Sequence, residues 1–176
     1  MLIAMSLSSG CGGGDQSNPA APTPSTRTST PPALLEDFLP KQAQPRLPAI
    51  KVWLGAEELV TEVAMTAMEQ VTGMMWRTNL AENAAMIFVH PTPRQASYWM
   101  KNCFVPLSIA FIDTGGTILE IHDMRPHDTN SVVSTATNIR FSLETNQGWF
   151  DRHNVRTGMV VRTERGSLAE TFLRRP

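Results

Sequence analysis

The chain has 176 residues with 15 Lys and Arg against 16 Asp and Glu, a formal net charge of −1. That balance leaves no field of one sign to gather polyphosphate, so nucleic acid is excluded as a partner class. Two cysteines, Cys11 in a glycine-rich tail and Cys103 deep in the chain, are too few for a disulfide framework.

Residues 1–7 form a short apolar run, followed by Ser8-Ser9-Gly10-Cys11 and three glycines. Small side chains before a cysteine and a flexible tail after it resemble the lipobox of bacterial lipoproteins. The resemblance implies a signal remnant over 1–11, lipidation of Cys11, and an exported protein anchored at the periplasmic or outer face of a membrane. No Lys or Arg precedes the run, and Leu7 lies four residues before the cysteine where the motif prefers three. Residues 12–48 are rich in Pro, Ser, Thr and Gly and cannot offset their ordering entropy, so they read as a disordered tether. Within them, residues 33–39 read either as one or two helical turns before Pro40 or as linker. Beyond the first residues nothing approaches the ~20 apolar residues of a membrane-spanning helix.

The folded domain is expected over 49–166. Residues 50–54 and 58–64 alternate around a Gly55-Ala56 turn, which predicts a hairpin. Thr66-Ala67-Met68-Glu69 is a capping box and predicts a short helix to Gly73, and Asn79 with Glu82 predicts a second capped turn. Met86-Ile87-Phe88-Val89 is too short and too continuously apolar for a helix and reads as a buried central strand. Strands follow over 95–101 and 107–113, the latter entered through Pro106, and a Thr114-Gly115-Gly116 hairpin leads into 117–122. Residues 123–138 lose the apolar pattern and read as a long loop. Residues 139–144 alternate cleanly, which predicts a half-exposed strand; Asn146 is placed to cap a helix over 147–153, and 159–162 reads as the last strand. Everything after Gly166 reads as a frayed tail, 167–176. The fold class expected is mainly β with a minor α part: a compact antiparallel barrel or sandwich of about seven strands with two or three short helices and no βαβ alternation.

Gly73-Met74-Met75-Trp76-Arg77, Met86-Ile87-Phe88-Val89, Trp99-Met100-Lys101-Asn102, Pro106-Leu107, Phe111-Ile112-Asp113 and Leu143-Glu144 with Gly148 stand in an order that resembles DUF192 (UPF0127), small bacterial and archaeal domains often secreted or lipid-anchored. The resemblance spans residues 50–162. It implies a compact mostly β domain with a packed helix, and no reaction. Cys103 stands where the family usually has Thr, Ser108 where it has Asp, Ala85 where it has Gly and Met159 where it has Asp.

Candidate binding residues are Trp99, Lys101, Asn102, Arg77 and Met75: a cation and an amide at the mouth of a pocket floored by Trp99 and walled by Met75 or Met100. Against this stand a Lys101–Trp99 cation–π contact, an Asn102 that serves a turn, and an Arg77 that pairs with Glu82 or Glu144 rather than clamping a ligand carboxylate. Cys103 reads as a small buried hydrophobe, and no catalytic residue is assigned. Ten Met and four His raise copper, but Met65, Met68, Met74, Met75, Met86 and Met100 are spaced as core filler, so no metal and no cofactor are expected. His122-Asp123 and His127-Asp128 are the one polar titratable cluster. The function expected is a lipid-anchored extracytoplasmic binding or accessory module, more binding protein than enzyme, its partners the membrane through Cys11 and a small ligand or envelope protein. The alternatives are an envelope hydrolase or transferase using the 122–128 loop, and a structural partner in an envelope complex.

Overall fold

The computed structural model describes residues 38–174, so Cys11 and the first part of the 12–48 segment lie outside the described residues. Strands β1 (Ala49–Leu54) and β2 (Glu57–Ala64) form the expected antiparallel hairpin, turning at Gly55 with φ 68°. Helix α1 (Ala67–Thr72) starts on the expected capping box. Thr66 Oγ1 accepts from Glu69 N at 3.2 Å, and Glu69 Oε2 accepts from Thr66 N at 2.8 Å. An irregular stretch then leads into β3 (Ala84–Arg94), which lies parallel to β2. This is a βαβ crossover where none was expected. The helix is too short and its exit too irregular for a 3.6-residue period to reveal it.

The rest is β4 (Ser97–Tyr98), β5 (Leu107–Ile112), β6 (Ile118–Met124), β7 (Val132–Val133), β8 (Ile139–Asn146), α2 (Trp149–Arg152), β9 (Val161–Thr163), β10 (Gly166–Ser167) and α3 (Leu168–Phe172). Eight strands make one sheet in the order β10-β9-β1-β2-β3-β8-β5-β6, all neighbours but β2–β3 antiparallel, and β4 pairs with β7 apart from it. The fold is mainly β and sandwich-like rather than a closed barrel. The far strands touch at one corner, where Thr117 bridges Val160.

Each face of the sheet carries its own core, as an apolar run buried on both sides requires. One holds Val52, Leu54, Ile87, Phe141 and Leu143 under Trp149, Phe150 and Leu168. The other holds Met86, Phe88, Ile109 and Phe111 under Met74, Met75, Met100 and Val105. Met65 and Met68, expected as filler, are 54% and 64% exposed.

Several local expectations are corrected. Residues 95–101 do not form a strand beyond Ser97–Tyr98, and the 123–138 loop is interrupted by β7. Asn146 ends β8 and donates to the carbonyls of Leu80 and Ala81 instead of capping α2, whose N-cap is Gly148 and which has no side-chain cap. Asn79 caps no helix; the nearby Glu82 instead binds Arg152 at 2.8 Å. Strand 139–144 is not half exposed, because Ser142 and Glu144 are buried with the rest. Residues 39–48 are tied to the domain: Trp76 Nε1 donates to Pro40 O at 2.7 Å, Gln44 Nε2 to Gly73 O at 2.9 Å, and Leu47 N to Glu62 Oε2 at 2.8 Å. The tail after Gly166 is not frayed. Ser167 and Glu170 form a second capping box and Leu168 is fully buried. Leu168→Ala should therefore cost about 2–4 kcal/mol in urea unfolding, whereas an unstructured tail would leave the midpoint unchanged.

Candidate functional site

Strand register fixes what meets on the second face. Glu62, Met86, Glu144, Ile109 and His122 share one cross-strand row, and Ala64, Phe88, Ser142, Phe111 and Glu120 share the next. Two buried acidic residues, Glu62 and Glu144, thus enter a face rich in Met, Phe and Ile, and a charge there needs a partner or must be given up. Glu62 has a partner. Arg77 grips it bidentately, Nη1 to Oε1 at 2.6 Å and Nη2 to Oε2 at 2.8 Å. Burial pushes the Glu62 carboxyl up, but the bonds from Arg77 and from Leu47 N outweigh it and hold the group below the usual carboxylate range.

Over the same face runs the segment 96–105, held by backbone bonds at both ends. Ser134 N donates to Ala96 O at 2.9 Å, Met100 N to Asp128 O at 2.8 Å, and Trp76 N to Asn102 O at 2.7 Å. Trp99-Met100-Lys101-Asn102 is a turn rather than a strand. Asn102 takes φ 59°, a conformation its short polar side chain tolerates. Trp76 takes φ 65°, which its bulk does not favour, and the bonds to Asn102 and Pro40 keep it there.

Between α1 and this cover lies a cleft of about 590 Å³. Met68, Val71, Met74 and Met75 form one wall, Arg94, Ala96, Tyr98 and Trp99 the other, Phe38 and Leu39 lie at the rim, and Phe88, His90, Cys103 and Glu144 are among the deepest lining residues. Its buried titratable groups are held neutral, and the exposed Arg94 is its cation. Burial pushes the Glu144 carboxyl up to about 8 against a weaker pull from Arg77. Burial, aided by Arg94 and Arg140, brings His90 down to about 4. Burial raises the Tyr98 phenol well above its ordinary value and the Cys103 thiol to about 12, the latter with help from Glu144. Tyr98 Oη lies 3.4 Å and Ser142 Oγ 3.2 Å from His90 Nε2, and His90 Nδ1 is buried with no hydrogen-bond partner.

Of the residues predicted from sequence, Met75 and Trp99 line the cleft, and Arg77, Lys101 and Asn102 do not. Arg77 pairs with Glu62, not with Glu82 or Glu144. Lys101 Nζ sits 5.8 Å over the Trp99 ring. Cys103 is buried and, as a high-pKa thiol, unreactive, matching the reading made of it. His122 engages Glu120 at 3.1 Å and His127 packs edge-on against Phe104 at 4.7 Å, so the two imidazoles have separate neighbourhoods. Among the described residues no group of three or more His, Cys, Asp or Glu is arranged to hold a metal ion. Sequence reasoning missed Glu144, His90 and Tyr98 as a set. The signal for Glu144 was polar residues alternating in a strand whose neighbours are buried on both faces.

Two outcomes follow. Arg77→Ala strands a buried carboxylate and should destabilise the fold by about 3 kcal/mol in urea unfolding; a change below 1 kcal/mol would free Arg77 for a binding role. For Glu144, the unfolded carboxyl ionises near 4.5 and the folded one near 8. Between these values the folded state binds more protons, so this group's contribution to stability falls as pH rises. Glu144→Gln should remove that loss, and its stability advantage over the wild type should grow from pH 5 to pH 8 by about 1.4 kcal/mol per pH unit. A pH-independent difference would show that Glu144 ionises normally.

No curated protein matches the chain. Among solved structures, a protein of Sinorhizobium meliloti 1021 provisionally described as a transcription regulator is 28% identical with a TM-score of 0.65, covering 69% of this chain and 98% of its own. A protein of unknown function from Novosphingobium aromaticivorans DSM 12444 is also 28% identical, with a TM-score of 0.64, covering 68% of this chain and 90% of its own. The sequence motifs, the sheet and these likenesses agree with the family match over residues 51–163: the chain belongs to the DUF192 family, described as "Uncharacterized ACR".

Proposed function

We propose that the protein is an extracytoplasmic binding or accessory module, anchored to a membrane by lipid on Cys11, whose cleft between α1 and the 96–105 segment takes a small ligand with an apolar body. The carrying observation is the cleft itself, apolar-walled and about 590 Å³, with His90, Tyr98, Cys103 and Glu144 in its lining. Sites of that size and composition are the usual form of small-molecule pockets. With the Cys103 thiol and the Tyr98 phenol both raised by burial, the cleft lining offers no thiolate or phenolate nucleophile at neutral pH, which suits binding better than covalent chemistry. The anchor reading rests on the Ser9-Gly10-Cys11 word and the Pro/Ser/Thr-rich stretch behind it. The near-zero net charge argues against carrying a regulator's role over from the Sinorhizobium neighbour.

Nile red, a neutral apolar dye, should bind the protein saturably at one site. Val71→Trp, a change at a half-exposed position on the cleft wall, should abolish the signal without lowering the unfolding midpoint; unsaturable dye fluorescence, or full binding by the variant, would sink the cleft reading. In cells, radiolabelled palmitate should enter the wild type and not Cys11→Ser. Equal labelling of both would remove the anchor.

A further inference from the structure

Among the described residues Glu144 is the one acid lining the cleft, and it is 5% exposed. Charged and titratable groups approach it from each packed element. From β2 and the turn after α1 come Glu62 and Arg77, which neutralise each other at 2.6 and 2.8 Å. From the covering segment come Tyr98 and Cys103, while His90 and Arg94 line the same cleft further along β3, four and eight residues beyond Met86, the partner of Glu144. Its β5 neighbour in the row is the hydrocarbon Ile109, and its β3 neighbour is Met86. Among the described residues none donates a hydrogen bond to its carboxyl; the one cation that acts on it, Arg77, is already committed to Glu62. The basic groups Arg94 and Arg140 act instead on His90, with the Arg140 guanidinium donating to the His90 carbonyl. The basic groups near the cleft thus act on His90, while its carboxyl acts on Cys103.

The lining near the acid is aromatic and thioether-rich. Phe88 and Tyr98 stand edge to face, ring centroids 5.2 Å apart, and Met74 and Met75 close the α1 side. Ring faces attract cations, the more so when water is excluded, and thioethers are soft and polarizable. Among the described residues this is a buried acid without a protein donor, in a cleft lined by aromatic rings and thioethers, which is the donor set of an organic-cation site. A carboxylate ligand would meet Glu144 as a like charge or demand that it stay protonated.

Resting on the reading of the cleft as a binding site, we propose that its ligand is a lipophilic organic cation, an amine or quaternary ammonium whose charged head lies between the Glu144 carboxylate and the rings of Phe88 and Tyr98, with its hydrocarbon body along Met68, Val71 and Met74. As the head enters, the Glu144 carboxylic acid releases its proton to solvent, and the pair stays electrically balanced inside the fold.

Decyltrimethylammonium, decanol and decanoate, matched in chain and used below their aggregation concentrations, separate the possibilities by titration calorimetry at pH 7. The cation should bind at least tenfold more tightly than either companion. Decanol or decanoate binding as tightly would overturn the charge preference while leaving the cleft a binding site; no binding by any of the three would overturn both readings. Glu144→Gln, in which a carboxamide stands for the protonated acid, should bring decyltrimethylammonium down to the affinity of decanol. Unchanged cation affinity in that variant would overturn the assignment. A readout on the wild type alone does not depend on how the variant folds. In buffers of different ionisation heat, cation binding at pH 7 should release close to one proton and decanol binding none, and zero release with the cation would overturn the proposal.

Discussion

A carboxylate cannot stay charged on an apolar face without a counter-charge, and the fold answers this demand in two ways along one row of the sheet. At Glu62 the answer is Arg77, delivered by the turn after α1 in bidentate contact. That pair also locates the incoming chain, because Glu62 takes the Leu47 amide and a bond from Arg46 at 3.3 Å. A single carboxylate therefore fixes the entry of the chain, the exit of the crossover helix and the middle of β2. At Glu144, two strands away, burial outweighs the pull of an Arg77 already paired with Glu62, and the proton is kept instead. The same residue type in the same row is structural at one end and unspent at the other.

What reads as a functional word in the sequence is largely a device for covering that row. Trp99-Met100-Lys101-Asn102 turns over the sheet so that Met100 is buried and the Asn102 carbonyl holds Trp76 in its left-handed conformation. Trp76 in turn binds Pro40. The cover, the α1 exit and the entering chain form one hydrogen-bonded unit around the cleft mouth, and the cleft's shape depends on all three.

The local signals in the sequence were faithful where the physics is local. The Thr66–Glu69 box, the Gly55 hairpin and the β3 apolar run are short-range patterns, and each forms as its residues predict. The parallel β2–β3 pairing was hidden because six helical residues leave too little period to read. The buried polar floor was hidden for a different reason. Ser142 and Glu144 alternate with Phe141 and Leu143 as they would in any half-exposed strand, and only the cover formed by residues 96–105 decides that their side is dry. The Ser167–Glu170 box was legible and was passed over because it stood near the chain end. Of the candidate site, Trp99 and Met75 were found through their side-chain type, while Arg77 and Lys101 were drawn in by charge that the fold uses elsewhere.

The sheet order also has a kinetic meaning. β1, which opens the domain, lies between β2 and β9, and the Val52–Thr163 pairing joins the two ends of the folded chain. Loop-closure entropy for such a pairing is met late, and topologies dominated by distant contacts fold slowly. Until β9 arrives, the outer edge of β1 presents unpaired amides and carbonyls beside the apolar side chains of Val52 and Leu54, an invitation to pair with another chain. The ninth strand is thus also what seals the first one against association.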